Sequence, residues 1–239
     1  GLYQVSALDD SIIGEDAIKQ TFTKINGFSQ LRSHFKDSAD LNYDIKLMYY
    51  LLNDNYGTEE NSFVLNANFS RYIQKEFLTV KATIDHNDDQ FYKESDSAKT
   101  YKNTIIGFYP TISTEGDKYK FIVGINVSVD IGQASGPPLI FPKVYFSYDL
   151  VKDLLVPYVG IGGSLLRNSY ASLVKENPFV ISDPILNNTK NSIRFYGGCK
   201  GEFSASSSFN VSITRDKLDN QYFFVNEFEC LLQFLQKNR

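Results

Sequence analysis

The feature that most constrains this chain is strict alternation of apolar and polar residues, carried through segment after segment. From Leu41 to Leu51 the odd positions read Leu41, Tyr43, Ile45, Leu47, Tyr49 and Leu51, while the intervening ones begin Asn42, Asp44 and Lys46. Successive side chains of a strand point to opposite faces, so this period dictates one apolar and one largely charged face. Tyr119 to Ile131 repeats it, with Tyr119, Phe121, Val123, Ile125, Val127, Val129 and Ile131 on one side. Lys120, Gly124, Asn126, Ser128 and Asp130 fall on the other, broken only by Ile122.

Seven further segments follow the same rule: Phe63 to Ser70, Leu78 to Asp85, Thr104 to Ile112, Lys143 to Leu150, Leu155 to Leu165, Ile193 to Phe203 and Phe209 to Thr214. A less regular stretch, Ser29 to Lys36, supplies one strand before them. The joins alternate in length. Long ones are expected at Asn53–Glu60, His86–Thr100, Gly132–Phe141 and Arg167–Asn191. Short ones fall at Asp37–Ala39, Ile73–Lys75, Thr114–Lys118, Lys152–Asp153 and Ser204–Ser207. The expected fold is therefore all-β, an antiparallel up-and-down barrel of about ten strands and one domain over 1–239. Strands occupy 29–225, residues 1–28 form a segment of uncertain structure, and 226–239 form an atypical tail. The opening Gly-Leu-Tyr reads as a processed or engineered end rather than a native start.

Loop lengths segregated in this way belong to outer-membrane barrels, with short turns at one end and long loops at the other. A Greek-key sandwich mixes its loop lengths. In a membrane barrel the apolar face meets lipid and the polar face lines the interior. Tyr49, Tyr72, Phe77, Tyr101, Phe141 and Tyr148, near strand ends, suit aromatic girdles. Composition excludes some partners. The net charge of −4, from 24 Lys+Arg against 28 Asp+Glu, argues against nucleic acid. Two cysteines make no disulfide framework, and two histidines leave little for metal or acid–base catalysis.

Several phrases carry a family likeness: Ser38-Ala-Asp-Leu-Asn-Tyr43, Tyr158-Val-Gly-Ile-Gly-Gly163, Asn168 to Pro178, Phe195-Tyr-Gly-Gly198 and Asp219 to Val225. Over roughly Ser29 to Val225 the chain resembles the barrel region of Bacteroides-group outer-membrane proteins of the TonB-dependent-receptor-like type. The resemblance implies an outer-membrane location, contact with outer-membrane lipid and a transport, porin-like or surface-binding role toward a small-molecule or ion solute. It departs from the family in lacking a plug domain or energy-coupling box. Phe228 to Arg239 is neither an alternating strand nor an aromatic C-terminus, so a truncation or an altered frame, and with it an incomplete barrel, is expected.

Candidate chemistry is sparse. Asp85-His86-Asn87-Asp88-Asp89 is rich in ligand atoms, but it lacks the glycine and spaced acids of a calcium loop and reads as a solvated external loop. Gly160, Gly162, Gly163, Gly197, Gly198 and Gly201 are not followed by the helix a phosphate loop needs; strand bending or close packing suits them better. Ser135 has no nucleophile-elbow spacing, and Cys199 alternates onto the apolar face. No catalytic, metal or cofactor site is expected. The candidates that remain are polar-face residues able to line a lumen: Lys120, Asp130, Lys143, Asp149, Arg194, Lys200 and Glu202. Tyr170 to Glu176 is expected as a short helix in the longest loop, closed by Pro178, either folding into the mouth or capping the rim. Two other classes stay open. One is a soluble all-β ligand-binding protein, lipocalin-like or a sandwich, with its apolar faces meeting inside. The other is a barrel enzyme with a rim constellation around His34 or His86.

Overall fold

In a computed structural model, which describes residues 20–33, 40–91, 99–132, 136–151, 154–180, 184, 186–204 and 206–224, the alternating segments form one sheet. Its strands are β1 (Phe22–Arg32), β2 (Asn42–Asp54), β3 (Glu59–Ile73), β4 (Glu76–Phe91), β5 (Lys99–Glu115), β6 (Tyr119–Gly132), β7 (Leu139–Tyr148), β8 (Val156–Leu166), β9 (Thr189–Ser204) and β10 (Ser207–Asp219). Each pairs antiparallel with its neighbour in sequence, so the order runs β1 to β10 without a crossover. One helix, α1 (Tyr170–Glu176), lies between β8 and β9.

Register aligns the apolar positions into rows across the sheet. Leu47, Leu65, Ile84, Ile106 and Val129 form one such row; Ile45, Ala67, Ala82, Phe108, Val127 and Ile140 form the next. A one-residue slip would exchange the faces, so the rows and the register fix one another. These rows face outward: Ile140 is 68% exposed and Ile213 79%. The inner face is polar, and Glu60, Ser62, Asn87, Asp89, Asn103, Ser128 and Asn191 on it are buried.

The sheet curls strongly. The Asn126 side chain of β6 reaches past β7 to donate to the Gly163 carbonyl of β8, at 2.8 Å. Arg167, just after β8, meets Asp85 of β4 across the concave side at 2.8 Å. The curl does not close, so the sheet is an open, barrel-like one of ten strands, and the expectation of an incomplete barrel stands. Among the described residues β1 pairs only with β2 and β10 only with β9. The two sides are drawn together at the long-loop end, where Phe22 and Tyr222 both pack into the cluster around α1.

Other expectations shift at their edges. The first strand is Phe22–Arg32 rather than Ser29 to Lys36. The Asp85-to-Asp89 cluster lies inside β4, not in a loop, because pairing with β3 and β5 carries that strand to Phe91. The β2–β3 join shrinks to Asn55–Thr58. Of the proposed girdle, Tyr49, Tyr72 and Tyr148 are exposed, whereas Tyr101 and Phe141 are buried, since their parity puts them on the inner face. Phe77 packs on Tyr72, ring centroids 4.8 Å apart. The expected join at Asp37–Ala39 and the 226–239 tail lie outside the described residues, as do His34, Ser135 and Cys230.

Candidate functional site

The long-loop end of the curl is filled by α1. Ser169 caps the helix, its Oγ accepting from the Ser172 amide at 3.2 Å while the Ser172 hydroxyl accepts from the Ser169 amide at 3.0 Å. Tyr170, Leu173 and Val174 fall at helical spacing on one side, and Pro178 ends the run. That side enters the mouth. Tyr170 and Leu173 are buried with Leu52 of β2, Phe91 of β4, Tyr101 of β5 and Leu186, and Phe91 meets the Tyr170 ring edge-on at 5.9 Å. Each such buried side chain stabilises the docked helix by about 1.5–3 kcal/mol.

Beneath this apolar contact lies a polar layer. The Tyr170 hydroxyl donates to Asp54 Oδ2 at 2.8 Å. Glu60, fully buried, takes the Ala171 amide on Oε2 at 2.7 Å and the Tyr50 hydroxyl on Oε1. Asp89 stands directly opposite Glu60 in the β3–β4 register, and both side chains are buried on the inner face. Asn87 donates to Asp89 Oδ2 at 2.8 Å. Burial, reinforced by the Glu60 charge, raises the Asp89 pKa well above the carboxylate range; Asn87 and the more distant Arg167 oppose it. On the outer side at this level, Asp88 and Lys102 form an ion pair at 2.7 Å, so this part of β4 stands above the apolar rows. Further round, Asp130 accepts from the Asn103 and Asn188 side chains, the latter at 2.7 Å. At the far side Tyr222 donates to Glu176 at 2.6 Å; burial and this carboxylate push its phenol up to about 12.

The seven expected lumen residues all lie on the inner face but do not form one site. Lys120, Asp149, Lys200 and Glu202 line an open cleft of about 640 Å³ at the short-turn end. Lys143 and Arg194 line a second, of about 450 Å³, with Asn126, Tyr158, Tyr196, Ser212 and Thr214. Asp130 belongs to the layer beneath α1. Several are paired: Lys120 with Glu115 at 2.9 Å, and Arg194 with Asp216 through two bonds of 2.6 and 3.1 Å.

No protein-family model matches this chain, and no curated protein matches it. Its chemistry must be read from its own residues. Among the described residues no group of three or more His, Cys, Asp or Glu side chains is placed to hold a metal ion. His86 faces outward beside Thr104, its Nδ1 at 2.8 Å from the hydroxyl, away from the inner acids. The residues that organise the mouth, namely Asp54, Glu60, Asp89, Arg167 and Tyr170, are not among the seven. Parity carried past Asp85 would have put Asn87 and Asp89 on the inner face. Nothing local marks Glu60 as the partner of the loop helix 111 residues further on.

Proposed function

We propose that this chain is a bacterial outer-membrane β-barrel, or part of one, with a non-enzymatic pore, transport or surface-binding role. Its mouth is stoppered by its own loop helix. The carrying observation is inverted burial: large apolar side chains stand exposed on the outside, while polar side chains are buried within. A water-soluble sandwich or lipocalin-like barrel requires the reverse, and Val123 and Ile125, which it would bury, are exposed. The dimensions also agree. On β6 the outward apolar run from Phe121 to Ile131 covers ten steps, about 33 Å at ~3.3 Å each. A strand tilt of about 40° reduces this to about 25 Å, the height of an outer-membrane apolar band.

No described helix is long and apolar enough to cross a membrane, which says nothing about crossing by strands. The bacterial outer membrane and the TonB-dependent-receptor-like family rest on the sequence resemblance alone. The cleft around Lys120 and Lys200 offers a solute both charge signs, and the one around Lys143 and Arg194 offers cations with tyrosine, serine and threonine hydroxyls. Expression in a Gram-negative host tests the reading. The expected result is recovery in the outer-membrane fraction, extraction only with detergent, and gel migration that changes on heating. A monodisperse monomer freely soluble without detergent would overturn it.

A further inference from the structure

The Glu60–Asp89 pair sits where it can control whether the mouth is open. Both carboxyl groups are fully buried, they stand opposite one another in the β3–β4 register, and Glu60 holds the first turn of α1 through the Ala171 amide. Side chains directly opposite on one face of an antiparallel pair have Cβ atoms about 4.5–5.5 Å apart, and two carboxylates buried that close do not both stay ionised. Glu60 accepts on both oxygens, which leaves the proton to Asp89. We propose that Glu60 and Asp89 form a proton-operated latch: a proton held on Asp89 beside the Glu60 carboxylate seats α1 in the mouth, and its loss to solvent releases the helix. The geometry stands on its own; its consequence for a channel rests on the membrane reading above.

The groups that face the pair from the neighbouring elements are engaged with partners of their own. From β1, Lys24 lies over the Tyr50 ring, 3.9 Å from its centroid. From β2, Tyr50 donates to Glu60, and Asp54 is engaged by Tyr170 of α1. From β4, Asp85 is paired with Arg167, the nearest cation to Asp89, which follows β8. Tyr101 faces in from β5 and Asp130 from β6, the latter holding Asn103 and Asn188. Among the described residues, the cation that acts on Asp89 is Arg167, and its guanidinium is bound to Asp85 through both its side chain and its carbonyl.

The direction follows from linkage. With the helix docked, Asp89 holds its proton more tightly than a solvated carboxyl does. Docking is therefore favoured fully below the ordinary carboxylate pKa, near 4, and weakens as pH rises toward the raised value. One proton taken up on docking corresponds to about a tenfold fall in the docking constant per pH unit across that window.

Hydrogen exchange of the 170–176 amides, in protein folded in detergent and corrected for intrinsic rates, measures this directly. Protection of α1 is expected to fall about tenfold per pH unit while β5 amides stay protected. Asp89→Asn, whose amide donates to Glu60 without titrating, is expected to hold α1 protected and flat with pH. Tyr222→Phe, which removes only the Glu176 contact, should keep the wild-type slope. A flat wild-type profile overturns the latch, as does a slope that survives in Asp89→Asn. Loss of α1 protection on adding a chelator at constant pH would also overturn it, by assigning the bridge to a cation. The wild-type profile decides the question alone if a variant fails to fold.

Discussion

At the scale of single residues, glycine and tyrosine work together on the inner wall. Gly160 of β8 lies opposite Tyr196 of β9, and Tyr158 lies opposite Gly198. A Cβ at Gly160 would fall 2.2 Å from the Tyr196 ring, and one at Gly198 would fall 2.2 Å from the Val211 carbonyl. Each ring thus lies over the glycine facing it, which lets two neighbouring strands curve tightly without leaving a void. Gly160→Ala is expected to push the ring aside and destabilise the fold by about 1–3 kcal/mol, measured by urea unfolding in detergent. Gly162, with open space at its Cβ, is the control, and the same change there should cost little. Tyr170→Phe removes one hydrogen bond to a carboxylate, worth about 1.5–3 kcal/mol, and should lower α1 protection without altering its pH slope.

At the scale of elements, the strands were legible from the sequence because parity is local. Leu41 to Leu51 and Tyr119 to Ile131 need nothing beyond their own residues to define two faces. Strand ends were less legible, because hydrogen bonding to neighbours carries β4 through Asp85 to Phe91 despite a run of polar residues that reads as loop. The helix was also legible: Ser169, the spacing of Tyr170, Leu173 and Val174, and Pro178 mark it. Its position was not. Whether it enters the mouth or caps the rim depends on Leu52, Glu60, Phe91 and Tyr101, which come from four strands distant in sequence. Because the helix has seven residues, it is too short to persist alone and depends on its cap and its docking. Ser169→Ala is expected to cost about 1 kcal/mol, roughly a fivefold loss of α1 protection by hydrogen exchange, with strand amides unchanged.

At the scale of the whole molecule, the question is which solvent meets the outer rows. Ile125 and Ile131 lie on the same outward face of β6 and are similarly exposed, at 44% and 48%. They differ in depth along the apolar run: Ile125 stands near its middle, and Ile131 ends it on the side of α1. In water the two positions are equivalent, and an arginine at either should change stability by no more than about 0.5 kcal/mol. In a bilayer they are not. Ile125→Arg is expected to cost about 2–4 kcal/mol and Ile131→Arg about 0–1 kcal/mol, because the penalty for a cation falls from midplane to interface. Unfolding each variant from lipid vesicles of fixed composition measures the difference. The comparison turns on the ratio of two matched sites rather than on either value, so global losses of packing cancel. Equal, small costs at both positions would return the apolar rows to water and require another partner to cover them.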